Sequence, residues 1–417
     1  MNFRQRIKRI IGANNVKRIH RIQSIMPDKI IRNLMINNSL KQQREKRSTR
    51  EVIRVGFIVQ VPEIWNKLQP VYEAMKADNS FDLELIVVPD NIKKSDSLSY
   101  ENNYFIKKYP NAKKAYDEGR WLRISHQRYD YIFVQRPYDA YLPKGFRSYN
   151  LALCSKVCYI PYGFSGSNVF NDGNTNKEFF RSVYFAFLES PEMVDCMTRV
   201  FDSPRERKLH NFLYLGYPAL QSMFSINNKR QYRSVLWTPR WSFDPIIGKS
   251  NFIKYKNEIL KFAEEQTECN FTFRPHPLLF KELKNKELMS PNEMKKYLKQ
   301  CQELNIRYDG NRPINEAFTD ADILITDYSS IIIEFFITGK PIIYCDSAFE
   351  LNSTYKKLLE GLYIVKTEEE LRDRLKELSN GYDPLYDVRQ KIIDEELTIH
   401  KNSVRAILTT ILEDYNQ

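Results

Sequence analysis

Ile323-Leu324-Ile325-Thr326-Asp327-Tyr328-Ser329-Ser330-Ile331-Ile332-Ile333-Glu334-Phe335-Phe336 reads as a buried strand that turns directly into an apolar helix. The strand runs into Thr326 and Asp327, and Ser329 and Ser330 then open the helix. Their hydroxyls and the unpaired amides of a first helical turn therefore converge on one spot. Such a helix start holds an anion without glycine, because orphan N–H donors and the positive end of the helix dipole point the same way. Glu334 follows Ser330 by four residues, on the same helix face one turn deeper, where it could accept hydrogen bonds from a ribose. The plainer reading is that Asp327 and Ser329 merely cap a buried helix.

Outward from this stretch the chain alternates between strand and helix. Towards the N-terminus, Val52–Val61 reads as a strand, Glu63–Ala77 as a helix and Phe81–Val88 as a strand. Tyr131–Gln135, Val157–Pro161, Val183–Leu188 and Phe212–Leu215 follow as buried strands. The alternation restarts at Val235–Thr238, with helices near Phe252–Gln266 and Asn292–Gln302 and a strand at Asn270–Phe273. It continues through Ile306–Tyr308, Ile314–Thr319, Ile323–Thr326, a helix at Ser330–Thr338, and Ile342–Tyr344. This pattern implies an α/β protein of two Rossmann-like halves, whose parallel sheets face a central cleft at the carboxyl ends of their strands. The expected units are a segment 1–50, a first domain 51–225, a second domain 226–400, and a helix 401–417 that could cross back onto the first.

Two further strand exits carry chemistry-bearing groups. Phe271-Thr-Phe-Arg274-Pro-His276-Pro delivers a guanidinium and an imidazole between two prolines, which fix φ and remove donors. A turn stiffened in this way suits orientation on a diphosphate. Val235-Leu-Trp-Thr238-Pro-Arg240 ends a strand in a hydroxyl, a proline and an arginine. All three segments fall in one half and stand in the same relation to their strands. Asp320-Ala-Asp322 looks like a metal-binding DxD, but it precedes its strand and reads as a helix end. No metal ligand is expected there, and no cofactor.

Composition excludes several classes. The chain has 417 residues and 42% hydrophobic content, enough for two or three cores. No apolar run approaches the ~18 residues of a membrane span, and no secretory signal is evident, so a cytoplasmic protein is expected. The six cysteines form no CxxC pair. Neither GxGxxG nor GxxxxGK[ST] occurs. The net charge of +12 belongs entirely to residues 1–50, which hold 14 basic against two acidic residues. The body is neutral, so nucleic acid is not an expected partner. Phe3, Ile7, Ile10, Ile11 and Ile19, Ile22, Met26, Ile30, Leu34 recur every three or four residues among Lys and Arg. That pattern fits basic amphipathic helices lying on an anionic membrane surface, split at Pro27; a helix packed on its own body is the alternative.

Taken in order, the Thr238-Pro segment, Arg274-Pro-His276-Pro and Thr326-Asp327-Tyr328-Ser329-Ser330 resemble the signature of the CDP-glycerol glycerophosphotransferases of teichoic-acid and capsule synthesis. The resemblance spans roughly 235–345 and is looser before it. It implies a GT-B fold, a membrane-associating basic N-terminus, and transfer of glycerol phosphate or ribitol phosphate from a CDP-alditol to a lipid-linked or polymer hydroxyl. The CDP-alditol is then a substrate and not a cofactor. By the same resemblance His276 and Arg274 contact the diphosphate, and Thr238, Arg240, Ser329 and Ser330 help to seat it. The family's first domain usually offers a His-Gly pair for the general base. Here Pro161-Tyr162-Gly163 puts a phenol in that place, a poor base at an ordinary pKa near 10. Tyr162 is the positional candidate, with His126 and Asp139 as substitutes. The rival is a glycosyltransferase of the same fold using a CMP- or UDP-sugar. A non-catalytic protein docking through its basic arm is a third class.

Overall fold

The computed structural model describes residues 28–45, 50–89, 100, 103–166, 176–203, 206, 208–229, 231–310 and 312–417. The first half builds β1 (Ile53–Val59), β2 (Phe81–Val87) and β3 (Lys113–Lys114), then a small hairpin, β4 (Tyr116–Asp117) with β5 (Arg120–Trp121). It continues with β6 (Tyr131–Val134), β7 (Lys156–Tyr159), β8 (Phe185–Phe187) and β9 (Asn211–Leu213). Apart from the hairpin these form one parallel sheet in the order β3-β2-β1-β6-β7-β8-β9. The second half builds β10 (Ser234–Thr238), β11 (Asn270–Phe273), β12 (Arg307–Tyr308), β13 (Ile323–Thr326), β14 (Ile342–Cys345) and β15 (Tyr363–Val365). Their order is β12-β11-β10-β13-β14-β15, again parallel. Strand order reverses between β1 and β6 in one sheet and between β10 and β13 in the other. At such switch points the two flanking loops part and leave a crevice beyond the carboxyl ends.

The central strands β6, β13 and β14 are buried along their whole length, as expected where helices cover both faces, while Arg54, Asp82, Glu84 and the Lys113–Lys114 pair put charge into β1, β2 and β3. In β1, Val55, Phe57 and Val59 are fully buried, and Phe57 stacks on Phe133 of β6 with ring centroids 4.8 Å apart. One core runs through the first sheet and crosses into Ile332, Phe335 and Tyr355 of the second half, and into Ile407 and Ile411 near the C-terminus. A second core, with Trp237, Phe252, Phe273 and Ile325, lies within the second half. The last helix, Ser403–Asn416, returns to the first domain. There Asp414 accepts hydrogen bonds from Tyr131 (2.5 Å) and Tyr184 (2.8 Å) and pairs with Lys156 (2.6 Å).

Two local expectations change, and a third segment gains its type. The helix at 63–77 is split into a 3-10 turn, Pro62–Lys67, and an α-helix, Gln69–Lys76, since Pro70 has no amide to continue the ladder. The segment at 314–319 is a helix, Ile314–Asp320, begun after Pro313. In the basic N-terminal segment, Asp28–Glu45 is one helix that buries Ile31, Met35, Ile36 and Leu40 against the first domain. Ser39 and Gln43 donate to the Ala152 carbonyl at 2.8 and 2.7 Å. Residues 1–27, with the rest of the expected amphipathic pattern and Pro27, lie outside the described residues. Among the described residues, no helix is long and apolar enough to cross a membrane.

Candidate active site

All three strand exits reach one edge. β10 lies between β11 and β13, so Thr238, Arg274 and Thr326 end neighbouring strands, and the residues after them line one carboxyl edge, with β10 and β13 flanking the switch point. The register pairs Thr238 with Thr326 directly. The Thr326 hydroxyl donates to the Thr238 carbonyl (3.2 Å), and Thr238 donates to the Ile325 carbonyl (3.4 Å). Thr238 is buried, so its hydroxyl ties two strands and is not presented to a ligand.

Asp327 and Arg240 form the frame of the site. Asp327 is buried and accepts from the Arg240 amide (2.8 Å), the Asn251 amide (3.1 Å) and the Asn251 side chain (2.9 Å). Burial pushes its carboxyl up to about 6, while those donors pull it back. Arg240 donates to the Gly248 carbonyl (3.0 Å), the Tyr328 carbonyl (2.8 Å) and the Ile247 carbonyl. Its guanidinium lies 5.0 Å from the Tyr328 ring centroid. The planar fork thus clamps the 242–250 loop onto the strand edge, leaving it as a framing charge and not an open phosphate clamp. Arg274 is likewise engaged, with Asp309 at 3.1 Å and the Arg312 carbonyl at 2.7 Å.

His276 is the exposed member. Its Nδ1 accepts the Leu278 amide at 3.1 Å, so the proton of a neutral ring sits on Nε2. Desolvation beside Trp241, 5.9 Å between ring centroids, and the Arg240 charge hold its pKa below the ordinary imidazole value. The ring is therefore neutral at pH 7, with Nε2–H free to donate. Ser329 and Ser330 are half-buried at the start of the helix Ile331–Phe336, and neither strongly caps it; Ser329 only reaches the Ile331 amide at 3.5 Å. Their hydroxyls are the uncommitted polar groups of that turn.

Glu334 corrects an expectation. It is 1% exposed and paired with Lys67 of the first domain at 2.6 Å, so it joins the domains and cannot reach a ribose. The helix is tilted with that face into the interface, which periodicity alone does not disclose. The DxD carboxylates are committed too: Asp322 accepts the Arg233 and Ser234 amides at 3.0 Å, and Asp320 pairs with Arg312 at 2.7 Å.

Across the crevice, Gly163 faces Ser330: a Cβ placed on it would lie 3.8 Å from Ser330 Oγ. Tyr162 therefore stands at the junction, its hydroxyl 2.6 Å from that of Tyr138. Burial and that hydrogen bond raise its pKa above the ordinary phenol value, the wrong direction for a general base. Asp139 is spent on Ser148, whose amide and hydroxyl both lie 2.7 Å away. His126 precedes β6 and so lies at the amino edge of the sheet, away from the crevice. Sequence reading missed Glu189, which follows β8 at the carboxyl edge. It is 3% exposed and accepts the Ser165 amide at 3.3 Å; its Oε2 has no partner among the described residues. Burial pushes its pKa up to about 7. Its position two residues past a strand was the available signal.

The family model described as CDP-glycerol:poly(glycerophosphate) glycerophosphotransferase matches residues 175–410. No curated protein matches the chain. Among solved structures, the wall teichoic acid polymerase TagF superposes with a TM-score of 0.55 at 15% identity, covering 93% of this chain and 97% of that one. UDP-GlcNAc 2-epimerase from Neisseria meningitidis, bound to UDP-GlcNAc, gives 0.56 at 12%, covering 87% and 100%. The epimerase from Methanocaldococcus jannaschii gives 0.54 at 14%, covering 86% and 100%. At such identities these likenesses establish the two-domain GT-B-like fold.

Proposed function

Because the chain belongs to the CDP-glycerol:poly(glycerophosphate) glycerophosphotransferase family, we propose that it moves an alditol phosphate, foremost glycerol phosphate, from a CDP-alditol to an acceptor hydroxyl. The acceptor is a lipid-linked or polysaccharide chain, in assembly of a teichoic-acid-like or capsule polymer. The observation that supports the donor reading is that His276, Ser329 and Ser330, with open donors, follow strands at one carboxyl edge, and that Ser330 there faces Gly163. The acceptor oxygen attacks the alditol-bearing phosphorus in line as the bond to CMP breaks; the acceptor proton leaves to a base and CMP carries off the electron pair. Such transfers depend mostly on positioning and charge neutralisation. His276 Nε2–H and the serine hydroxyls would bond the phosphate oxygens, while Arg240 and Arg274 act as framing positive charges behind them.

The enzyme would work on the cytoplasmic side, resting on the inner membrane face. Ile30 and Leu34, one turn apart on the N-terminal helix, are 42% and 43% exposed beside basic side chains, which supports a surface-lying role for that segment.

The test is CMP release by the purified chain from CDP-glycerol and CDP-ribitol, set against CMP- and UDP-sugars. Release from a CDP-alditol is expected; release only from nucleotide sugars overturns the reading. His276→Ala should lower turnover by about 10²–10³, the usual loss for one such donor, with unchanged thermal unfolding. Near-normal turnover removes His276 from the site.

A further inference from the structure

The crevice edge of the first domain carries a cluster that the transfer chemistry leaves unused. Tyr138 is 38% exposed, Tyr141 is 51% exposed, and Tyr162 is half-buried beside them. The Tyr138 ring lies 6.2 Å from that of Tyr141 at 81° and 5.9 Å from that of Tyr162 at 60°. Large side chains left in water in one place mark a recognition surface more often than scattered ones do. This surface is also held rigid. Gln60 donates to the Tyr141 carbonyl (3.3 Å), Asn176 to the Pro137 carbonyl, and Asp139 is anchored on Ser148. The Arg136 guanidinium lies 5.0 Å from the Tyr141 ring centroid on one side of it. A loop fixed at both ends with its rings partly in water has already lost much of the entropy that binding would otherwise cost.

We propose that Tyr138, Tyr141 and Tyr162 form an acceptor subsite that takes a pyranose ring. A sugar ring presents a flat array of C–H bonds to an aromatic face and hydroxyls to the phenol oxygens, so rings with polar tips suit it. An acyclic alditol phosphate has no such face. The location decides which substrate is held: the cluster follows β6 and β7, in the first domain, and Tyr162 adjoins the residue that faces Ser330. A ring packed on one of these faces would lie beside the turn that holds the donor, since Gly163, next to Tyr162, faces Ser330. The acceptor that this subsite fits carries a sugar near the hydroxyl that is extended. Only the word acceptor rests on the transferase reading; ring binding does not.

Saturation-transfer NMR tests this without turnover. The probes are methyl β-D-glucoside and methyl N-acetyl-β-D-glucosaminide as rings, glycerol 3-phosphate as the acyclic control, and CMP. Transfer from aromatic protons to ring C–H of at least one glycoside is expected, lost in the Tyr138→Ala/Tyr141→Ala double variant and kept in the Tyr138→Phe/Tyr141→Phe one. CMP binding should be the same in all three. Transfer to neither glycoside, transfer unaltered by the alanine pair, or aromatic transfer confined to CMP overturns the subsite. Ring binding in a protein that releases no CMP from any CDP-alditol overturns the donor reading and leaves the subsite standing.

Discussion

At position 162 a phenol occupies the place where the family resemblance expects an imidazole, and its surroundings keep it protonated to still higher pH. The nearby carboxylate that titrates close to neutrality is Glu189, buried with Oε2 unpartnered among the described residues. Its folded-state pKa of about 7 lies above the ordinary 4.5, so between those values the native protein holds a proton that the unfolded chain has released. Stability contributed by the neutral acid is complete below about 4.5 and is lost as pH rises through 7. Glu189→Gln should therefore be more stable than the parent at pH 8, by up to roughly 3 kcal/mol, and near parity at pH 4. Urea unfolding at both pH values measures this; an equal offset at both would show that folding does not shift the carboxyl's pKa. Residues at this scale divide by what their donors already do. Arg240 and Thr238 were legible as strand-exit groups, yet the carbonyls they bond could not be foreseen: Tyr328 and Ile325 lie 88 and 87 residues away, and Gly248 is brought back by the fold of its loop.

Among elements, the C-terminal helix is the one whose placement matters most beyond its own stability. Asp414 draws together Tyr131 of β6, Lys156 of β7 and Tyr184 just before β8, and so ties the start of three neighbouring strands to the end of the chain. Removing that carboxylate leaves three largely buried donors without their acceptor, each unsatisfied group costing about 1–3 kcal/mol. Asp414→Ala should thus lower stability by about 2–4 kcal/mol, read as a lower melting temperature and faster amide exchange in β6 and β7. A shift within 1 °C would mean that water replaces the carboxylate. The helical period of Asn402–Tyr415 was plain from its apolar spacing. The N-terminal helix shows the converse: Ile30 and Leu34 belong to the recognisable stripe but face outward, and Ile31 and Met35 are the residues that pack. A stripe wide enough to cover both does not say which edge of it the body will take.

On the scale of the whole molecule, the two domains are joined by a continuous apolar core and by the Lys67–Glu334 pair. Both side chains are almost entirely out of water, so breaking the pair strands a charge, whereas replacing both need not. Lys67→Met should cost about 3–5 kcal/mol, and Lys67→Met with Glu334→Leu should regain most of it. Additive losses in denaturant titrations would place the pair outside the coupling.

The amino-acid order by itself determined the alternation of strands and helices, the two-sheet class and the three strand exits at 238–240, 274–276 and 326–330. Each of those follows from local periodicity and from where a polar residue ends an apolar run. Only the tertiary structure decided which of the exit residues remain open. His276 and the two serines keep free donors because their neighbours are backbone turns. Glu334 and Asp327 were claimed by partners 267 and 87 residues away, with Lys67 and Arg240. It also gathered Tyr138, Tyr141 and Tyr162 into one cluster. Contacts of that range are set by how sheets and helices dock, and no periodicity encodes the docking.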